Sequence, residues 1–261
     1  MHNEKPPVYG TVLLKAADIL NVISTSIEPL TLNEISQETK ITVSTTSKIL
    51  DTLQLLEYVH RNPKDKKFSL GVGLIQLSNA AQMQFDIIRD SYFSLKSLFD
   101  QFHETVHLGM LRDNKILYIN KFSSSENNKL MLSKIGSTRE LYCSAMGKAI
   151  LASFNDEKKR DYIDSVKLTP FTEHTITEKS ILNEEINNIQ LLGYATDNRE
   201  IEDHLFCIGA AIKTRKDRSP IYAFSVTIPY YRLSDELKNN LIENVLKTKE
   251  SIEKITLSSY H

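Results

Sequence analysis

The chain of 261 residues carries 32 Lys and Arg against 33 Asp and Glu, and a net charge of −1 gives it no bulk attraction for polyanions or anionic surfaces. With 41% hydrophobic and 25% charged residues, its composition is globular and excludes the disordered and fibrous classes. The longest apolar runs, such as Cys207–Ile212, fall far short of the roughly 18 to 20 residues of a membrane span, so a soluble protein with no membrane partner is expected.

The start, Met1-His2-Asn3-Glu4-Lys5-Pro6-Pro7, lacks a signal-peptide core, and the two cysteines, Cys143 and Cys207, show no C-x-x-C spacing. A cytoplasmic location, without disulfides or a zinc finger, is the expectation.

Leu13, Ala16, Ala17, Leu20 and Ile23 recur at helical spacing, which predicts a first helix over Val12–Ser24, ending before Glu28-Pro29. Thr31-Leu32-Asn33-Glu34 is a capping box, with Leu30 and Ile35 placed as a hydrophobic staple, so a second helix starts at Leu32 and ends near Thr39-Lys40. A third helix is predicted from Val43 to Glu57 with Thr42 at its N-cap. Ile49, Leu50, Leu53 and Leu56 form its apolar stripe, and the opposite face offers Ser44, Thr45, Lys48, Asp51 and Thr52.

Tyr58-Val59-His60-Arg61 and Lys67-Phe68-Ser69-Leu70 read as two strands joined by the turn formers Asn62-Pro63-Lys64-Asp65-Lys66. Three helices followed by a hairpin make a winged helix-turn-helix, in which the third helix enters the major groove and the wing rests on phosphates. Residues 1–72 are neutral overall, with 8 basic and 8 acidic side chains, yet Arg61, Lys64, Lys66 and Lys67 face only Asp65 in the wing. Positive charge therefore gathers where a wing meets DNA. The alternative is a protein-docking module that never touches DNA.

After Gly71-Val72-Gly73 the periodicity returns from Leu74 to about Phe102, read as one long helix whose first half serves as a linker packing on its copy in a dimer. Strands are predicted at Thr105–Leu111, Ile116–Phe122, Lys129–Ile135, Tyr194–Thr196, Leu205–Thr214 and Ile221–Pro229. Helices are predicted at Met146–Ser153, Asp156–Ser165, Glu178–Leu192 and Ser234–Ile255. Hairpins interrupted by helices indicate an α+β domain with an antiparallel sheet.

Familiar catalytic patterns fail. Gly147-Lys148 lacks the glycine and hydroxyl residue of a phosphate loop, since Tyr142 and Ala149 stand there. Ser144 and Lys148 are one residue too far apart for S-x-x-K. His204 and Cys207, three residues apart on an extended segment, point to opposite faces. His103 and His107 have the spacing of a metal pair, but a helix end falls between them and no third ligand is placed. An enzyme or sensor acting on a small acid through Cys207 stays open as the rival reading.

Four segments resemble the IclR-type bacterial transcriptional regulators in collinear order. They are Ser44-Thr45-Thr46-Ser47-Lys48-Ile49-Leu50, Phe68-Ser69-Leu70-Gly71, Ser144 to Ala152 with its S-x-x-G-K-A pattern, and Gly193 to Glu200 followed by Cys207 to Ile212. Departures fall at Glu57, where the family usually has glycine, and at Lys48, His204 and Ala211-Ile212-Lys213.

The resemblance implies a winged helix-turn-helix over residues 1–73, a linker helix over 74–90 and a GAF-like effector-binding domain over 91–261. It also implies a DNA operator, a small carboxylate or sugar-acid effector, a homodimer or dimer of dimers, repression more than activation, and neither cofactor nor catalysis. The DNA-binding residues would be Ser44, Thr45, Thr46, Lys48, Arg61, Lys64, Lys66 and Lys67. The effector pocket would use Ala145 and Met146 at a helix start, Asp197, Cys207, Ser225 and Thr227.

Overall fold

A computed structural model describes residues 9–124, 133–214 and 221–258. It divides into two compact units, Met1–Gln84 and Phe85–His261.

The first unit is the predicted three-helix and hairpin arrangement: α1 Thr11–Thr25, α2 Leu32–Thr39, α3 Val43–Leu55, β1 Val59–Arg61, β2 Phe68–Leu70 and α4 Gly73–Met83. Its core joins Ile19 and Ile23 of α1, Ile35 of α2, and Ile49, Leu50 and Leu53 of α3 to Val59 and Phe68 of the hairpin. The capping box is formed: Glu34 N–H donates to Thr31 Oγ1 (3.3 Å) and Thr31 N–H donates to Glu34 Oε2 (2.7 Å). Thr31→Ala removes one half of this exchange, and chemical denaturation is expected to show a loss of about 1 kcal/mol; an unchanged midpoint would mean the cap contributes nothing.

Helix α3 ends earlier than predicted, because Glu57 takes a left-handed φ of 57°. That conformation suits glycine, which accounts for the family's preference at this position. The hairpin's exit is equally tight. A Cβ on Gly71 would lie 2.1 Å from the Glu57 carbonyl oxygen, while the Gly71 N–H donates to Tyr58 O at 2.8 Å.

The helix predicted as continuous from Leu74 to Phe102 is two helices. Gln84 closes α4, and Phe85 is extended (φ −88°, ψ 92°) and precedes α5, Asp86–Phe102. Phe85 and Ile87 join the apolar core of the second unit, and Asp86 supplies the acidic first turn that favours a new helix start. The segment 86–90, expected to be linker, thus packs with the second unit.

That unit continues through β3 Thr105–Arg112, β4 Lys115–Phe122, β5 Thr138–Glu140, α6 Ala145–Ala152, α7 Asp156–Ser165, α8 Lys179–Leu192, β6 Ala195–Asn198, β7 Leu205–Ile212, β8 Tyr222–Pro229 and a 3-10 turn at Tyr230–Arg232. It closes with α9, Asp235–Ser258. Among the described residues, six strands form one antiparallel sheet in the order β5-β4-β3-β8-β7-β6. The strand expected over Lys129–Ile135 lies mostly outside the described residues; Ser133–Ile135 are not strand, and β5 forms that edge instead.

Alternation along the strands sends Leu108, Ile208, Phe224 and Val226 to the face covered by α5 and α9. The opposite face, with Ile116, Tyr118, Ala195, Ala211 and Ala223, packs under α6 and α8. Small side chains on this second face let α6 approach closely. At Gly209 a Cβ would come within 3.1 Å of both the Met146 nitrogen and the Ala145 carbonyl carbon.

No helix among the described residues is long and apolar enough to cross a membrane.

Candidate functional site

On α3 the buried stripe of Ile49, Leu50 and Leu53 turns one face inward, which leaves Ser44 and Lys48 exposed and Thr45 half-buried on the other. Thr46 does not belong to that surface. It is fully buried, and its hydroxyl donates to the Thr42 carbonyl (3.1 Å), so its expected place among the DNA contacts is corrected to a core role. Helical geometry explains this, since Thr46 lies three and four residues before Ile49 and Leu50 and shares their face.

The wing turn is shaped by two short side chains: Lys64 N–H donates to Asn62 Oδ1 (2.9 Å) and Lys67 N–H donates to Asp65 Oδ1 (3.0 Å). Lys64 and Lys66 are exposed and Lys67 is half-buried; Arg61 is exposed, with its guanidinium 5.3 Å from the Phe68 ring centre. Four cations therefore decorate one hairpin.

In the second unit, register brings polar residues of separate strands onto the α6 face. Asp197 pairs with Cys207, Cys207 with Thr227, and Thr227 with Thr105, while His107 pairs with Ser225. The Cys207 Sγ lies 3.3 Å from Thr227 Oγ1, which lies 3.4 Å from His107 Nδ1, and His107 Nε2 reaches Ser133 Oγ at 2.8 Å. The Tyr118 ring centre is 4.8 Å from that of His107.

These groups surround a cavity of about 30 Å³, completed by Arg139, Ile201, Glu202 and Leu205. Asp197, Cys207 and Thr227, expected from the sequence, line it. Ser225 sits on the same face, buried, but outside the lining, and Ala145 and Met146 are buried at the start of α6 against Gly209. A larger groove of about 560 Å³ lies elsewhere, between small residues such as Ala149, Ala152 and Ala211 and the lysines Lys213 and Lys249. We favour the smaller cavity, because only there do polar groups from several strands converge.

Burial sets the protonation of these groups. It holds the His107 imidazole neutral by lowering its pKa to about 3, with the charges of Lys121 and Arg139 acting in the same direction. It raises the Asp197 carboxyl to about 7, with help from the neighbouring Glu200 charge and against the amides that hydrogen-bond to it. The Cys207 thiol is pushed well up by burial and then by Asp197, which is the opposite of what a nucleophile requires. His204, the base of the rival reading, is half-exposed with Nε2 3.8 Å from Glu202 Oε2. Among the described residues, no group of His, Cys, Asp and Glu could hold a metal ion.

Behind the cavity stands Lys148, 1% exposed, with Nζ 2.6 Å from Glu200 Oε1 and 3.0 Å from Glu185 Oε1. Glu200 N–H in turn donates to Asp197 Oδ1 at 2.7 Å. Lys148 thus anchors the segment that follows β6, the strand of Asp197, and the α6 start is capped by Ser144, whose Oγ accepts from Gly147 N–H.

His107, Tyr118, Ser133, Arg139 and Glu202 were not foreseen from the sequence. His107 alternates with Thr105 and Gly109 on β3, a pattern that marks a shared face but cannot say which strands lie beside it.

Residues 12–63 match the IclR helix-turn-helix domain, and residues 79–254 match the family described as bacterial transcriptional regulator IclR, C-terminal. The HTH-type transcriptional regulator KdgR of Escherichia coli (strain K12) is 31% identical over 233 residues, which cover 89% of this chain and 88% of that protein. The crystal structure of the Thermotoga maritima IclR is similar with a TM-score of 0.78 at 28% identity, covering 94% of this chain and 98% of that one. An IclR homologue from Microbacterium hydrocarbonoxydans, complexed with 4-hydroxybenzoate, shares the fold with a TM-score of 0.82 at 19% identity, over 94% and 98% of the two chains.

Proposed function

This chain belongs to the IclR family of bacterial transcriptional regulators, and from that premise we propose that it is a ligand-responsive repressor whose second unit binds a small organic acid. The observation that carries the DNA half is the division of α3 into a buried apolar stripe and an exposed face bearing Ser44 and Lys48, followed by a hairpin with four cations against one Asp. Ser44, Thr45 and Lys48 read base edges of a double-stranded operator, and Arg61, Lys64, Lys66 and Lys67 contact phosphate. The effector half rests on the cavity at Asp197, Cys207 and Thr227, with Ser225 on the same sheet face and Ala145 and Met146 at the start of α6 against Gly209, the partner of Ser225.

The acting species is a homodimer or dimer of dimers in the cytoplasm. Exposed Val12, Leu13 and Leu14 on α1, and Ile75 and Leu77 on α4, support this reading as apolar surface left for a second copy. The effector acts by binding one of two arrangements of the assembly better than the other.

Changing Lys64, Lys66 and Lys67 to Ala tests the DNA half. The slope of log affinity against log salt is expected to flatten by up to about three phosphate contacts per protomer, with base preference kept. An unchanged slope on promoter DNA would remove the wing from the interface, and no salt-dependent shift at all would favour the protein-docking alternative.

A further inference from the structure

We propose that Asp51 sets base preference in the operator: its carboxylate accepts from the exocyclic amine of a cytosine, next to a base pair whose guanine Lys48 reads. This deepens the DNA reading above and rests on it.

Helix α3 decides which side chains meet the floor of a groove. Thr46, Ile49, Leu50 and Leu53 are buried and define its inner face. At about 100° per residue, the line opposite that face runs close to Ser44 and Leu55, with Lys48 and Asp51 about 30° to either side of it. All four are exposed. They form the outermost edge of the helix, while Thr45 and Thr52 lie on its flanks.

Asp51 is the one acid on this edge, and a groove walled by phosphates repels an acid that finds no donor there. The helix itself does not neutralise it. Lys48 lies one turn back, at a spacing where ion pairs form, yet among the described residues neither side chain is in an ion pair. The adjacent Thr52 hydroxyl donates to the Lys48 carbonyl at 3.0 Å and not to the carboxylate. Asp51 thus keeps its acceptors for a partner outside the chain.

The major groove offers such a partner selectively. Guanine presents two acceptors there, thymine an acceptor and a methyl group, and adenine an amine beside an acceptor, whereas cytosine presents its N4 amine alone. A carboxylate only accepts, so cytosine suits it and the other edges oppose it. Lys48 only donates, and the paired acceptors of guanine are its counterpart. From Lys48 to Asp51 the helix advances about 4.5 Å, comparable to the roughly 3.4 Å between stacked base pairs, so the two residues address neighbouring pairs.

The test selects duplexes from a randomised library with the full-length chain and repeats the selection with Asp51→Ala, Asp51→Asn and Lys48→Ala, melting curves establishing that each variant is folded. The wild-type motif is expected to hold a position at which cytosine is preferred at least about fivefold. Asp51→Ala should flatten that position alone. Asp51→Asn should turn it to adenine, whose N6 and N7 match an amide, and Lys48→Ala should flatten the neighbouring guanine and leave the cytosine. A motif unchanged in both Asp51 variants but altered in Lys48→Ala would overturn the Asp51 assignment and leave the reading of α3 standing. An equal gain of affinity on every sequence would overturn it too, since the carboxylate would then only repel phosphate. The same altered motif in Asp51→Ala and Lys48→Ala would overturn direct reading by showing that Asp51 acts through Lys48. A motif that no variant alters, or a chain that selects no DNA, would overturn the reading of α3 on which the proposal rests.

Discussion

Lys148→Met is expected to cost the second unit about 3 to 5 kcal/mol, seen as a fall of roughly 10 °C in its melting temperature. The lysine is 1% exposed and bound to Glu200 at 2.6 Å and Glu185 at 3.0 Å. Burial by itself would drive its ammonium toward neutrality, but the two carboxylates outweigh burial and the net displacement of its pKa is upward. Glu200 moves upward too, because burial exceeds the favourable effect of Lys148. Removing the lysine therefore strands a buried carboxylate that is already reluctant to ionise. The paired variant Lys148→Met, Glu200→Gln removes both charges and is expected to recover much of the loss, because the greater part of the penalty belongs to the orphaned partner and not to the absence of the pair. A single variant as stable as wild type would show that the network holds nothing in place; a double variant no better than the single would locate the cost in packing around the missing side chain.

This lysine also marks the boundary of what the sequence makes legible. Helical spacing, the capping box and the turn formers of the wing place the first three helices and the hairpin to within a few residues, because those signals are local. Thr46 went astray for a physical reason: a threonine amid hydroxyl residues reads as polar surface, yet its hydroxyl is satisfied by the Thr42 carbonyl one turn back, which permits burial. The break at Phe85 was hidden because apolar spacing runs through it, and the change of partner from one core to another leaves no mark in periodicity.

In the second unit, Asp197, Cys207 and Thr227 could be placed by resemblance. Their neighbours His107, Tyr118, Arg139 and Glu202 come together only through the strand order β5-β4-β3-β8-β7-β6, a property of long-range pairing. Gly147-Lys148 was separated from the phosphate-loop pattern by its spacing, but its carboxylate partners lie 37 and 52 residues away and required the fold.

The cavity holds two groups whose titrations oppose each other, and separating them is expected to reshape the stability of the second unit across mildly acidic pH. The folded Asp197 has its pKa raised from 3.8 to about 7, so between those values the folded chain keeps a proton that the unfolded chain has lost, and stability falls as pH rises. The folded His107 has its pKa lowered from 6.5 to about 3. Between those values the unfolded chain carries the extra proton, and stability rises with pH. Each contributes up to about 1.4 kcal/mol per pH unit, with opposite sign, over the shared window from about 4 to 6.5.

Relative to wild type, Asp197→Asn is expected to gain stability steadily from pH 4 to 7, by up to about 4 kcal/mol at the top, because its neutral amide keeps the acceptor for Glu200 N–H without the charge. Relative to wild type, His107→Gln is expected to gain stability toward low pH, since a side chain that never ionises no longer favours the unfolded state. Glu104, whose pKa is also raised, contributes equally to all three proteins and drops out of these differences, whereas Glu200, whose charge helps to raise Asp197, is coupled to it and counts within the Asp197→Asn difference. Denaturant midpoints at half-unit pH steps decide the matter. Parallel curves for Asp197→Asn and wild type would mean that Asp197 is ionised in the folded chain throughout, and an unchanged slope in His107→Gln would mean that water reaches the imidazole.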